Sequence, residues 1–430
     1  MLTIDRLSSG VVLVLPLAVG ALITGVFFVG EDGSSLLPIS LFQIGLGFSF
    51  LIFLAAKLIN GNFTIDVYGL ETLYILFVGL IFLSITYTPD REEALFFVFR
   101  FIVLIAMTYL IYDSVQSFEQ LKKICYAVIG ISVIIACYNL AQVYLNPEIA
   151  AFNYLNQGQK LMRSSGDALD PNIFASNYFL PTMILMAFFS MEKSFMKRLA
   201  LFGLIGLIIG SVLLTYSRSS WVAIAIGTFV VIYYTKNYRI LVYMFVAFLL
   251  AFSASESIRQ LTLSFLERFI NIFAGSSDDS SKYRILLGVT AIYMILDSYL
   301  MGIGFQGFST VFKTYHPSDT TLGIYEPHNQ FYAVFAELGI IGFCLFMGIL
   351  YVIGKTAISS IKLSGDVTAE RAISVSLFAT FIAYLVFYNF LGGMYYNSIL
   401  FVVIGLIFVA NKFVQTSSGN KAKLETTKEY

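Results

Sequence analysis

Charge is what this sequence has least of. Only 12% of its 430 residues are Asp, Glu, Lys or Arg, 58% are hydrophobic, and mean hydropathy is +0.83. A soluble domain carries about 25% charged residues, so a water-soluble fold is excluded and the chain is an integral membrane protein. Formal net charge is zero, which leaves no basic footprint for nucleic acid. The three cysteines, Cys125, Cys137 and Cys344, fall inside apolar runs; their number is odd, they lack metal-ligand spacing, and they read as packing residues. Neither a Walker or Rossmann glycine loop nor a His-Glu-x-x-His motif is present, so a nucleotide-driven pump and a zinc hydrolase have no signature. The acidic pairs Glu31-Asp32 and Asp278-Asp279 sit among glycine and serine, the composition of solvated turns rather than cation sites. No metal or other cofactor is expected. Asp5 and Arg6 ahead of the first apolar run do not make a positive leader, so no cleavable signal is read.

What is there, in abundance, is apolar sequence. Runs long enough to cross a bilayer, about 17 to 25 residues, lie at 11–29, 41–59, 70–87, 94–112, 124–144, 173–191, 199–216, 221–234, 240–252, 331–353, 373–391 and 398–413. The expected fold is therefore an all-α polytopic membrane protein of about twelve helices, forming one membrane domain over 1–430. Lysine and arginine orient it. Arg6, Lys57, Lys122, Lys123, Lys197, Arg198, Lys236, Lys355, Lys362, Arg371 and Lys412 fall on one face, which the positive-inside rule makes cytoplasmic. Both termini are then inside, 414–430 is a disordered cytoplasmic tail, and 253–330 is one long external loop. Within that loop, 258–273 reads as a helix lying in the interface and 285–296 as a helix packed half-sunk on the outer surface of the bundle.

Polar residues on the external face stand out against this background. His328 lies in Tyr325-Glu326-Pro327-His328-Asn329-Gln330, where a polar loop enters a membrane helix. An imidazole there is wet enough to exchange protons and close enough to hydrocarbon to meet a lipid-borne substrate; helix capping at headgroup level is the plainer role. Arg163 precedes Asp170-Pro171-Asn172, Arg218 sits in the short turn Ser217-Arg218-Ser219-Ser220, and Arg284 opens an external helix. A guanidinium is a permanent planar fork of donors that matches phosphate oxygens. Any one of these arginines alone also fits a side chain snorkelling to lipid phosphate. Three in turn-like contexts on the His328 side point to a shared site. Glu337, deeper along the helix after His328, reads as structural: a partner for Arg218 or Arg100, or a helix-packing hydrogen bond.

Four segments resemble the O-antigen ligase and O-antigen polymerase superfamily of bacterial surface-polysaccharide assembly. They are Arg163-Ser164-Ser165-Gly166 with Asp170-Pro171-Asn172; Ser217-Arg218; Arg284 with Met301-Gly302-Ile303-Gly304-Phe305; and His328-Asn329 with Ala336-Glu337-Leu338-Gly339. The resemblance covers roughly 163–350 and leaves the first five helices without a motif. It implies a metal-independent, GT-C-like membrane glycosyltransferase of the bacterial inner membrane, acting at the periplasmic face in lipopolysaccharide or exopolysaccharide synthesis. Its donor would be a glycan on undecaprenyl pyrophosphate. The acceptor would be a glycan, lipid A core or glycolipid, with a chain-length regulator as partner where the product is a polymer. On that reading His328 is the general base, and Arg218, Arg284 and Arg163 face the pyrophosphate. Glu326 tunes the imidazole, Asn329 holds a substrate hydroxyl, and Asp170, Asn172 and Glu337 support the site. Ligase and polymerase stay level. A lipid-linked glycan flippase and a protein O-oligosaccharyltransferase are the alternatives, although a flippase calls for midplane charges and an internal repeat, and neither is evident.

Overall fold

A computed structural model of the chain describes residues 41–59, 66–145, 151–156, 159–164, 170–254, 279–316, 327–365 and 368–426, with five positions between 256 and 263. Its helices are α1 (Leu41–Ile59), α2 (Glu71–Ile85), α3 (Arg91–Ser114), α4 (Phe118–Leu145), α5 (Pro171–Ser176), α6 (Phe179–Met191), α7 (Phe195–Leu213), α8 (Arg218–Thr235) and α9 (Arg239–Ala254). There follow α10 (Asp279–Asp297), α11 (Phe308–Tyr315), α12 (Gln330–Leu363), α13 (Ala369–Phe387), a 3-10 turn at Met394–Tyr396, and α14 (Ser398–Thr426).

The bundle is organised around α13, which packs against α8, α6, α12 and α14. Its neighbours α6 and α14 are nearly as enclosed, whereas α7 lies at the periphery. Outward-facing positions remain apolar: Leu51, Ile75, Phe96, Phe99, Ile134, Leu199, Phe229 and Phe245 are all exposed. A surface of that kind is stable only against lipid.

Of the twelve expected spans, the described residues bear out part. Seven described segments are long and apolar enough to cross a membrane, and Gly45–Ile59 and Glu71–Ile85 are shorter apolar helices. The expected spans at 221–234 and 240–252 are present as α8 and α9, but α9, with 16 residues, rises only about 24 Å against a hydrocarbon core of about 30 Å. The expected span 11–29, the interfacial helix 258–273 and the acidic pair Glu31-Asp32 lie outside the described residues, as do Asp278 and Glu326. The described elements are helical as expected, with one departure, a short β-hairpin. Strands β1 (Ala151–Asn156) and β2 (Gln159–Ser164) pair antiparallel, with Arg163 opposite Phe152. The Gln157-Gly158 pair between two short mixed runs is a hairpin signal that a search for long apolar runs passes over. Finally, α14 continues as helix to Thr426, through much of the segment assigned to a tail.

The two ends of the bundle differ in chemistry. At one, Lys57 pairs with Asp113 and Lys412 with Asp66, each at 2.9 Å. At that same end the Arg371 guanidinium donates to the Ile361 and Tyr234 carbonyls at 3.1 Å. The end holding His328 is built from irregular backbone.

That irregular backbone centres on a break in α12. Gly339 has φ 66° and ψ −167°, so the helix is interrupted between Leu338 and Ile340. The segment 300–305 fills the break: Ile303 N–H donates to Ala336 O and Gly304 N–H to Glu337 O, both at 2.9 Å, and Ile340 N–H donates to Leu300 O at 2.9 Å. Glu337, which is buried, accepts the first amide of α11, Phe308 N–H, at 3.4 Å. The same segment is anchored to the end of α2, where Thr88 Oγ1 donates to Phe305 O at 2.8 Å and Phe305 N–H to Ser84 Oγ at 3.2 Å. Behind this knot α10 and α11 form a small core of Leu287, Ala291, Met294, Ile295, Phe308 and Phe312 against Ala336. The buried positions of α10 recur at i, i+4, i+7 and i+8, one helical face, while Ile285, Val289, Ile292 and Leu296 face outward.

A Cβ at Gly302, φ 87°, would lie 2.5 Å from Glu337 O, and one at Gly339 would lie 2.4 Å from Leu300 O. Neither clash can be relieved by rotating a side chain. Gly302→Ala and Gly339→Ala are each expected to cost about 2 kcal/mol or more, read as a lowered thermal midpoint of the purified protein. Gly79→Ala, whose Cβ meets nothing within 4 Å, serves as control and is expected to leave the midpoint unchanged or higher. Equal behaviour of all three variants would contradict the knot.

Candidate functional site

His328 sits in the turn 327–329 that opens α12. The turn is pinned on the next residues: Asn329 Oδ1 accepts from Phe331 N–H at 2.9 Å and Tyr332 N–H at 3.1 Å, closing the helix N-terminus. Its Nδ2 donates to Asn389 O at 3.1 Å. Gln330 N–H donates to Tyr388 O at 2.8 Å, and Gln330 Oε1 accepts Met394 N–H at 2.8 Å. Two consecutive residues, Asn329 and Gln330, thus hold the histidine turn against the connection between α13 and α14.

Two other parts of the chain converge on the imidazole. Tyr283, in the first turns of α10, presents its ring edge-on, centroids 6.5 Å apart, and the adjacent Arg284 acts on His328 electrostatically. Asp170, the N-cap of α5, does so with opposite sign. Burial first, then Arg284, push the imidazole below its ordinary value of 6.5, and Asp170 pulls it partly back. His328 is half-buried, and its Nδ1 is enclosed with no hydrogen-bond partner among the described residues.

Asp170 leads on to the remaining arginine. Its Oδ1 accepts Asn172 N–H at 2.6 Å and Asn172 Nδ2 at 2.9 Å, which with Pro171 at the first helical position starts α5. Asn172 Oδ1 accepts Ser217 Oγ at 2.8 Å, and Ser217 is also hydrogen-bonded to Ser220 at 2.8 Å. Ser217 is the N-cap of α8, so Arg218 begins that helix directly beside the network. A hydrogen-bonded path therefore runs from the Arg218 turn through Ser217 and Asn172 to Asp170, which with Arg284 acts on His328 electrostatically.

The other expected site residues fall elsewhere or lack a described side chain. Arg163 is placed by backbone alone, in β2. Glu337 belongs to the knot, about 13 Å further along α12 than His328. His316 bonds Thr290 across α10 and α11, Nε2 to Oγ1 at 2.9 Å, and packs on Phe312. A small apolar cavity in the bundle, lined by Phe77, Phe101, Phe346 and Tyr395 among others, contains none of the candidate residues. Tyr283, Ser217, Gln330 and the 388–394 connection are contributors that the sequence reading did not single out. Tyr283 and Ser217 stood within the quoted motifs, whereas Tyr388, Asn389 and Met394 carry no local signal.

Residues 203–347, about a third of the chain, match the family model described as O-antigen ligase. The matched stretch contains Arg218, Arg284 and His328. No curated protein matches the chain.

Because the chain has only two histidines, ring-labelled histidine gives two nuclear magnetic resonance signals, and His328→Gln assigns them. The His328 ring is expected to titrate below 6.5. Removing a positive neighbour favours the protonated ring, so Arg284→Gln should raise its midpoint. Asp170→Asn should lower it further. Shifts of the reverse sign, or none, would contradict the geometry.

Proposed function

We propose that this chain is a member of the O-antigen ligase family, a membrane glycosyltransferase that moves a glycan from an undecaprenyl-pyrophosphate donor onto an acceptor hydroxyl at the outer face of the bacterial inner membrane. The observation that carries the reading is the position of His328, half-buried and acted on by Arg284 and Asp170 from two distant parts of the chain. The match of residues 203–347 to the O-antigen ligase model supports a lipid-linked glycan and an acceptor meeting within the bilayer. The orientation is supported by the separation of the two ends: Lys57, Lys412 and Arg371 gather opposite His328, as the positive-inside rule requires if His328 faces outward.

The chemistry follows from these groups. A neutral His328 takes the proton from the acceptor hydroxyl as its oxygen bonds to the anomeric carbon. The bond from that carbon to the pyrophosphate oxygen breaks on the opposite side, inverting the centre, as water attack does in inverting glycosidases. The electron pair leaves with the pyrophosphate, whose growing negative charge is met by the fixed guanidinium groups of Arg284 and Arg218. Depression of the imidazole basicity serves this role, because it keeps the ring unprotonated at neutral pH. The proton acquired by His328 returns to solvent once the glycan has moved. Asp170, Asn172 and Ser217 hold the elements that carry the arginines and the base. The donor group already carries its activation, so no cofactor has a step to perform.

In membranes or with purified protein and a lipid-linked repeat, His328→Ala should lose transfer by roughly 10²–10⁴-fold while expression and insertion persist. Arg218→Lys retains charge but loses the planar fork, and should transfer more slowly than wild type. Undiminished transfer by His328→Ala would remove it as the base. Adding lipid A core to one reaction and only further repeat units to another separates ligase from polymerase.

A further inference from the structure

Arg100 is a cation where the bilayer offers it nothing. It lies nine residues into α3, about 13 Å from Arg91 at the helix start, and is exposed on the outer surface of the bundle. Its flanking residues on that surface, Phe96 and Phe99, are 62% and 58% exposed, which marks the face as lipid-contacting. Among the described residues the guanidinium has one hydrogen bond, Nη2 to Tyr396 O at 3.3 Å, and it lies over the Tyr396 ring at 5.1 Å. Among the described residues no carboxylate pairs with it. A carbonyl and a ring face satisfy part of a five-donor group, and a charge left in hydrocarbon costs at least about 2.5 kcal/mol. The remaining donors require an anion that the bilayer itself can bring.

The partner of Arg100 is also informative. Tyr396 belongs to the ten-residue connection 388–397 between α13 and α14, where non-helical backbone lies beside membrane helices. Such backbone is tolerated at that depth only against protein or a polar cavity. The same connection holds the His328 turn, through Tyr388, Asn389 and Met394. Arg100 and the two residues that follow His328, Asn329 and Gln330, are therefore hydrogen-bonded to one short segment.

We propose that Arg100 and the 388–397 connection form a lateral binding site for the phosphate of a membrane lipid, distinct from the arginines beside His328. The guanidinium's remaining donors take phosphate oxygens in the bidentate manner that suits the group, and the headgroup is drawn inward to a cation held in hydrocarbon. A lipid-linked donor cannot withdraw its tail from the hydrocarbon, so its pyrophosphate reaches the protein by sideways diffusion. A site at this position would receive it first and pass it across the connection. The assignment of the donor as the occupant rests on the proposed transferase function. The phosphate site itself does not.

The test is lipid binding without turnover, by titration with native mass spectrometry. Arg218→Gln with Arg284→Gln forms the background, so that the candidate active-site cations do not contribute. The probes are undecaprenyl pyrophosphate, phosphatidylglycerol and neutral undecaprenol. The background protein is expected to bind the charged lipids better than undecaprenol, and adding Arg100→Gln should weaken that binding about tenfold while leaving undecaprenol unchanged. Arg100→Lys should retain an intermediate affinity. Arg100→Leu, which matches the surrounding hydrocarbon, takes the place of the Gln variant should that fail to fold. Loss confined to undecaprenyl pyrophosphate identifies the donor as the occupant, and loss confined to phosphatidylglycerol identifies a phospholipid headgroup. Loss of both supports a site for lipid phosphate in general. Charged lipids bound equally well without Arg100 would overturn the proposal.

Discussion

The break in α12 at Gly339 is the constraint from which the His328 end of the molecule follows. A transmembrane helix interrupted in this way exposes carbonyls and amides that have no water to satisfy them. Here they are met by the backbone of 300–305, which crosses the break like a short strand. Residues Tyr299, Leu300, Gly302, Gly304 and Gln306 adopt positive φ to make that crossing. For the three non-glycine residues the left-handed region costs roughly 1 to 2 kcal/mol each. The segment holds because every side of it is fixed: to α12 by hydrogen bonds, to α2 through Ser84 and Thr88, and to α11 through Glu337.

Anchoring 300–305 anchors the helices on both sides of it. With α10 seated on α12 through Leu287, Ala291 and Met294, its first turns carry Tyr283 and Arg284 to His328. The second requirement is the 388–394 connection, which grips Asn329 and Gln330. Rigid supports on both sides leave little freedom for the imidazole, and orientation held in advance is what proton transfer needs. Partial burial of the ring, and then the Arg284 guanidinium near it, explain why its basicity falls rather than rises.

How much of this was legible beforehand follows from the range over which each signal acts. His328-Asn329, Arg284, Ser217-Arg218 and Asp170-Pro171-Asn172 were visible as polar words in an apolar text. Asp170 and Asn329 are helix caps that sequence alone places well. The break at Gly339 was not visible, because 331–353 reads as one uninterrupted apolar run and a glycine within it is ordinary in a membrane helix. Helix neighbours were equally hidden. In water an apolar stripe shows which face is buried, but in lipid every face is apolar, and the choice of partner lies in packing that periodicity does not record. Tyr388 and Asn389 meet the histidine turn from some sixty residues away, a pairing that no local pattern announces. Arg100, read in the sequence only as a candidate partner for Glu337, acquires meaning from Tyr396 in the same way.

The account's central claim is that His328 works as a base within the field of Arg284 and Asp170. The most direct measurement is the pH dependence of single-turnover glycan transfer from a lipid-linked donor, compared between wild type and Asp170→Asn. The rate should fall on the acid side with an inflection below 6.5, at the pH where the His328 ring itself takes up a proton, and Asp170→Asn should move the two to lower pH together. An acid limb that ignores the titration of His328 would contradict the account.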